Sequence, residues 1–354
     1  MSKPIRVLVV DDSALVRNIL RRGLDAAADI EVVAVAGDPY VARDLLVQHR
    51  PDVMTLDIEM PRMDGVTFLR KVMAVLPTPT VIVSSLAQQH SAAALAALEA
   101  GAVDVVAKPS RDVAGGLHRM LDQLVERVRM AAHSKVQLRP EPEAGEPTPT
   151  PTSSTARARA VGVSTDTVIG LGASTGGVAA LGRILPMFPP DAPGIVVVQH
   201  MPPGFTAGFA KRMREQCAMR VAEAVDGDRV LRGHVLLAPG GTKHLEVRRV
   251  GGEYRIALIE GDPVSGHCPS VDVFFRSLAV HAGQNAAACL LTGMGRDGAE
   301  GLKVLRSSGG RTFAQDEATS AVWGMPAAAV ELGAAEQTVA LNDVPAVLLG
   351  ALRR

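Results

Sequence analysis

Two blocks of regularly spaced apolar positions flank a stretch that has none. In the first block, apolar runs at residues 5–10, 30–36, 53–56, 80–83 and 103–107 read as strands. Segments of helical spacing at 14–26, 39–48, 65–75, 91–100 and 115–131 follow them in strict alternation. Strands that are apolar throughout belong to parallel sheets covered on both faces. Their alternation with helices predicts a sheet wound on both sides. The second block repeats the plan with other loops. A strand at 167–171 runs into Gly172-Ala173-Ser174-Thr175-Gly176-Gly177, and a helix starts near residue 178. A strand at 194–198 ends in Gln199-His200, and 205–216 is helical. Short strands and turns fill 221–259, with Gly251-Gly252 as a hairpin signal. A helix at 271–282 precedes a strand at 286–291 that ends in Thr292-Gly293-Met294-Gly295-Arg296-Asp297-Gly298, with another helix from about residue 299.

Between the blocks, repeated Pro removes backbone donors while Ser, Thr and Glu offer nothing to bury, which predicts a semi-extended, solvated linker. The expected fold class is α/β, with two doubly wound parallel-sheet domains joined by a flexible linker. The boundaries are 1–132, 133–163 and 164–354.

Composition narrows the function classes. Hydrophobic residues make up 47% of the 354 and aromatics 3%, so both cores must be built from Ala, Val, Leu and Ile. Lys plus Arg (37) balances Asp plus Glu (37), which leaves no electrostatic footprint for nucleic acid or an anionic membrane. Lys211, Arg212 and Arg214 read as one solvated helix face. The three cysteines, Cys217, Cys268 and Cys289, form no C-x-x-C pair, which fits a reducing compartment rather than a disulfide frame or a cysteine zinc site. With no signal-peptide plan and no apolar run of the ~20 residues a membrane helix needs, a cytoplasmic protein without membrane insertion is expected.

Ligands of open parallel sheets bind at the carboxyl ends of the strands. In the first block those ends carry Asp11 and Asp12, Asp57, Ser84 and Lys108. Clustered carboxylates repel one another, and a hard cation such as Mg2+ relieves this. Asp57 is then a candidate nucleophile for a phosphoryl group. Lys108 and Mg2+ would stabilise the transferring charge, and Ser84 would hydrogen-bond the phosphate. Gly65 permits a tight turn beside them. Asp11-Asp12-Ser13, the run from Asp57 to Asp64-Gly65, and Ala107-Lys108-Pro109 together resemble the flavodoxin-like receiver domains of two-component response regulators. The resemblance implies that Asp57 takes phosphate from a histidine kinase, with Asp11, Asp12 and Asp57 around Mg2+. Many receivers carry an aromatic residue where this chain has Val105, so the resemblance does not extend to an aromatic toggle.

In the second block, Gly172-Ala173-Ser174-Thr175-Gly176 fits G-x-S-x-G between a strand and a helix, the setting of a nucleophile elbow. Glycine-rich turns of this kind also bind phosphate. A dinucleotide site wants an acidic residue on the next strand, however, and that strand ends in Gln199-His200. His200 can take the serine proton, and Asp297 can orient His200. Backbone N–H groups near Thr175 and Met294 can meet an oxyanion, while the Met294 side chain is expected to pack. His234, His244, His267 and His281 compete with His200, and Cys268 is a weaker candidate nucleophile because it lacks an elbow. A nucleotide-sensing domain that does no chemistry, built on Gly170-x-Gly-x-x-x-Gly, stays as a second reading.

The set Gly-Ala-Ser-Thr-Gly-Gly, Gln-His-Met-Pro, Ala-Pro-Gly-Gly-Thr-Lys-His-Leu, Pro-Ser-Val-Asp-Val-Phe-Phe and Thr-Gly-Met-Gly-Arg-Asp-Gly resembles the Rossmann-like catalytic domain of CheB-type chemotaxis protein-glutamate methylesterases. It implies catalytic Ser174, His200 and Asp297, an oxyanion contact at Met294, and a site lined by Thr175 and His267. It also implies glutamine deamidation, chemoreceptors as substrates, a chemotaxis histidine kinase as phosphodonor, and no cofactor for the ester reaction.

Overall fold

A computed structural model describes residues 3–85, 88–108, 115–134 and 166–353. The chain divides into two compact units, Met1–Glu146 and Pro147–Arg354. The expected linker lies, from residue 135 onward, outside the described residues.

The first unit runs β1 (Ile5–Val10), α1 (Ala14–Asp25), β2 (Ile30–Ala36), α2 (Pro39–His49), β3 (Val53–Leu56), α3 (Gly65–Val75), β4 (Thr80–Ser85), α4 (Gln88–Ala100), β5 (Asp104–Lys108) and α5 (Gly115–Ala132). Its sheet has the order β2-β1-β3-β4-β5, parallel throughout. This is the flavodoxin-like arrangement, with its crevice where the strand order reverses, between β1 and β3. The apolar runs explain the sheet, since Val7, Leu8, Val9, Val53, Met54 and Leu56 are fully buried. Short polar side chains start the helices. Ser13, Asp38 and Asp64 accept hydrogen bonds from the first-turn amides of α1, α2 and α3, caps worth about 1 kcal/mol each. β4 runs on past its apolar stretch, with Ser84 opposite Ala107 and Ser85 opposite Lys108 in the ladder. Two of the candidate residues therefore stand inside the sheet rather than on loops.

The second unit contains β6 (Val168–Ala173), α6 (Gly177–Ile184), β7 (Gly194–Gln199), α7 (Phe205–Gln216), β8 (Arg220–Glu223), β9 (His234–Leu237), β10 (Lys243–Val250), β11 (Glu253–Glu260), α8 (Val271–His281), β12 (Ala286–Leu290), α9 (Ala299–Ser307), β13 (Arg311–Gln315), α10 (Met325–Glu331), β14 (Gln337–Val339) and α11 (Val344–Ala351). Seven strands form a parallel sheet in the order β14-β13-β12-β6-β7-β9-β8. β10 and β11 form a separate antiparallel hairpin, turning through Gly251 and Gly252, both at positive φ. The elements after α9 were not expected from the pattern. β13 carries polar residues at both ends and β14 has only three residues, too few for a period-2 signal.

The glycines of β6 serve packing. A Cβ at Gly170 would lie 2.6 Å from Leu278, and one at Gly172 would lie 2.3 Å from Val271. α8 therefore rests directly on the β6 backbone, with Phe274, Phe275 and Leu278 fully buried beneath it, each contributing about 2 kcal/mol of burial. This close approach brings the N-terminus of α8 to the carboxyl end of β6. It also removes the ground for the nucleotide-sensing reading, because Gly170 faces a helix and not a phosphate.

Candidate active site

At the carboxyl end of the first sheet, ligand oxygens of Asp11, Asp12 and Asp57 lie within 4.8 Å of one another. The Lys108 Nζ donates to Asp11 Oδ2 and Asp57 Oδ2, at 2.8 Å each. Asp11 and Asp57 are buried. Burial pushes the Asp57 carboxyl up; Lys108 works against this, and Asp11 and Asp12 add to it. For Lys108, burial opposes the charge, but the hydrogen bonds to Asp11 and Asp57 outweigh it and raise its pKa. One ammonium thus serves two of three clustered carboxylates. The Ser84 Oγ is buried and has no hydrogen-bond partner among the described residues, which leaves its hydroxyl open to a ligand. Gly65 is required here, because a Cβ would fall 2.2 Å from the Asp57 carbonyl oxygen. All-oxygen donors short of positive charge fit a hard divalent cation such as Mg2+. Val105 is buried and pairs with Ile82 in the sheet.

In the second unit, Ser174 follows β6 and His200 follows β7, and the register pairs Ala173 with Gln199. The His200 N–H donates to the Ala173 carbonyl at 3.1 Å, so nucleophile and base candidates sit on adjacent strand ends. Gly176 takes φ +76° to turn the chain into α6. His200 Nε2 and Asp297 Oδ2 are 2.8 Å apart. His200 Nδ1 is buried with no hydrogen-bond partner among the described residues, so the serine hydroxyl does not bond to it in this structure. Such contacts often tighten only with substrate bound.

Asp297 is 1% exposed and fully engaged. Besides His200, it accepts from the Ser270 hydroxyl (2.7 Å) and from the Val271 (2.7 Å) and Asp272 (3.2 Å) amides. Those amides open α8, so the helix N-terminus supports the negative charge. Burial opposes ionisation of Asp297, but His200, Ser270 and Val271 outweigh it and hold the carboxyl below its usual range. The nearby Asp272 carboxyl is pushed up by burial, although the Gly301 amide donates to it at 2.7 Å.

The other histidines separate by environment. His267 stacks on His200 with ring centroids 3.7 Å apart and an 11° interplanar angle, which brings it to the site. His244 accepts from the Ser270 amide through Nδ1 (3.1 Å), so its Nε2 carries the proton and donates to the Asp262 carbonyl (2.9 Å). It is a neutral post under Ser270. Burial lowers the pKa of His234, and His281 ends α8. Burial pushes the Cys268 thiol up, away from the thiolate a nucleophile needs. Thr175 is buried, whereas the Met294 side chain is 45% exposed and does not pack as expected. Its loop is instead held through the backbone: Gly293 donates to Val322 and accepts from Gly324 and Met325.

The CheB methylesterase family model matches residues 169–348, and the response regulator receiver model matches residues 7–116. A relative from Syntrophotalea carbinolica, named protein-glutamate methylesterase/protein-glutamine glutaminase, is 51% identical over 344 residues, covering 97% of this chain and 96% of its own length. One of the same name from a group 2 operon of Cereibacter sphaeroides is 52% identical over 348 residues, covering 97% and 91%. The chain belongs to the CheB methylesterase family. It is an enzyme, a methylesterase that carries a response regulator receiver domain. The crystal structure of the Thermotoga maritima CheB methylesterase catalytic domain is 36% identical, covers 52% of this chain and 97% of its own, and aligns with a TM-score of 0.51.

Within the methylesterase domain, sequence reasoning passed over Ser270 and Asp272, and it named His244 only as a competing base, not as a support for Ser270. Ser270 carried one signal, as a helix N-cap before an apolar periodic run. No pattern along the chain links it to a carboxylate 27 residues away. No helix among the described residues is long and apolar enough to cross a membrane.

Proposed function

We propose that the chain hydrolyses γ-methyl esters of glutamate side chains on chemoreceptors, deamidates glutamines there, and does so through an acyl-enzyme on Ser174. The observation that carries this reading is the His200–Asp297 pair beside the Ser174 elbow. Asp297 is held as a carboxylate, so His200 presents Nε2–H to it and keeps Nδ1 as the basic lone pair. Nδ1 then takes the serine proton as Oγ attacks the ester carbonyl. The imidazolium that forms is balanced by Asp297. The amide of Met294, which makes no hydrogen bond among the described residues, and the backbone at Thr175 meet the oxyanion. His200 returns the proton to the departing methoxide and methanol leaves. Water, deprotonated by the same nitrogen, then releases glutamate and restores Ser174. An amide substrate gives ammonia by the same path. His267 covers one face of the base.

In the receiver, Asp57 accepts a phosphoryl group from a histidine kinase, and the modification raises the hydrolytic rate. Asp11, Asp12 and Asp57 would hold Mg2+, which supplies positive charge against the phosphoryl oxygens. Lys108 pairs with the resulting anion, and the unpartnered Ser84 hydroxyl donates to it. Methanol release from methylated receptor membranes tests both parts. Ser174→Ala should be inert, with a loss of about 10^4-fold or more, and wild type should speed up when a small acyl phosphate is added. Near-normal release by Ser174→Ala would remove the hydrolase mechanism. An unchanged rate with the phosphodonor would remove the regulatory half.

A further inference from the structure

The nucleophile elbow is gripped from below by buried polar side chains. Gln199 closes β7 and is 3% exposed. Its Nε2 donates to the Ser174 carbonyl at 2.8 Å and to the His200 carbonyl at 3.0 Å. The reverse amide orientation would set an oxygen against two carbonyl oxygens, so the donor assignment is fixed by its neighbours. Gly177 leaves the room for this amide, since a Cβ there would fall 2.0 Å from Gln199 Oε1. On the other side, Thr292 follows β12 and is 1% exposed. Its hydroxyl donates to the Thr175 carbonyl at 2.9 Å and accepts from the Val322 amide at 3.0 Å. The Thr292 amide donates to Gln315 Oε1 at 2.8 Å, which anchors it to the end of β13. Thr292 therefore ties the elbow to the loop that carries Met294.

We propose that Gln199 and Thr292 are positioning residues: Gln199 fixes the spacing of Ser174 and His200 through both their carbonyls, and Thr292 fixes the spacing of the elbow and the Met294 backbone. The inference rests on the hydrolase reading above. Its physical basis is that reacting groups displaced by about 1 Å lose about 100-fold in rate. Both side chains are buried beneath the elbow and act through its backbone, so the effect belongs to kcat.

The test uses the full-length chain with a phosphodonor and methylated receptor membranes. Gln199→Met removes both donors at similar volume, and Thr292→Val removes the hydroxyl at similar shape. Each should lower kcat per folded molecule by about 30- to 100-fold, with KM changed by less than about twofold. Thr292→Ser, which keeps the hydroxyl, should recover most of kcat. Gly177→Ala should behave like Gln199→Met even though alanine favours a helix start, and it carries the same reading if the methionine variant does not fold. Wild-type kcat per folded molecule in Gln199→Met and Thr292→Val, a loss confined to KM, or a Thr292→Ser variant as slow as Thr292→Val would overturn the proposal. Ser174→Ala run alongside separates the failures. If it is active the hydrolase reading falls; if it is inert beside a fully active Gln199→Met, only the positioning claim falls.

Discussion

The two sheets end in opposite states of charge. At the carboxyl edge of the five-stranded sheet, Asp11 and Asp57 share the Lys108 ammonium with Asp12 beside them, and the Ser84 hydroxyl has no partner among the described residues. At the same edge of the seven-stranded sheet, Asp297 alone takes hydrogen bonds from His200, Ser270, Val271 and Asp272. The Asp57 carboxyl is consequently pushed up and that of Asp297 held down. One architecture thus builds a site short of positive charge, which suits a cation and a phosphoryl group, and a site whose carboxylate is already satisfied, which suits chemistry that needs a fixed base from the start. Charge balance at the strand ends distinguishes them where topology does not.

Removing each carboxylate gives the largest contrast. Asp297→Ala leaves buried donors unpaired at the head of α8, and should cost about 3–5 kcal/mol by analogy with a broken buried pair. It should also slow hydrolysis by about 10^4-fold. Asp57→Asn relieves repulsion and should leave the melting temperature of the Mg2+-free protein unchanged or higher. Equal destabilisation by the two, in thermal unfolding without divalent cation, would erase the contrast. Next, Mg2+ at about ten times its Kd should stabilise the wild type by about 1.4 kcal/mol and Asp57→Asn by much less; equal stabilisation would locate the cation elsewhere.

Acid should act on the other site. In the folded protein burial opposes ionisation, but the hydrogen bonds from His200, Ser270 and Val271 outweigh it and hold the Asp297 carboxyl below the usual carboxylate range. The unfolded chain therefore binds the proton first as pH falls, so the contribution of Asp297 is whole above about pH 5 and is lost as pH drops through the folded pKa. Urea unfolding of wild type and Asp297→Asn should show a stability gap that narrows on acidification from pH 7 to 3; a constant gap would contradict the pairing. The smallest effect belongs to Ser84→Ala. Its hydroxyl has no partner to lose, so stability should hold within about 0.5 kcal/mol while phosphoryl uptake slows by about tenfold, the worth of one hydrogen bond.

Residues that close an apolar strand were legible in the sequence, because a polar side chain at the end of a buried run has few structural uses. Asp57, Lys108, Ser174 and His200 all stand there. Asp297 was legible through its glycine-rich loop. What holds Asp297 was not: the head of α8 reaches it only because Gly170 and Gly172 let that helix sit on β6, a contact no periodicity encodes. Gln199 reads as an ordinary strand-end residue until its amide is seen against two carbonyls. The outer strands β13 and β14 were too short and too polar to read. The exposed Met294 side chain ran against its apolar character, because its loop is fixed through the backbone at Gly293.

The most direct measurement is covalent labelling of the full-length protein with a fluorophosphonate, located by peptide mass spectrometry and timed in wild type, His200→Gln and Asp297→Asn. The account predicts one label per chain, on Ser174, formed at least about 100-fold more slowly in both variants. A label on Cys268 or any other side chain, or the same labelling rate in all three proteins, would contradict it.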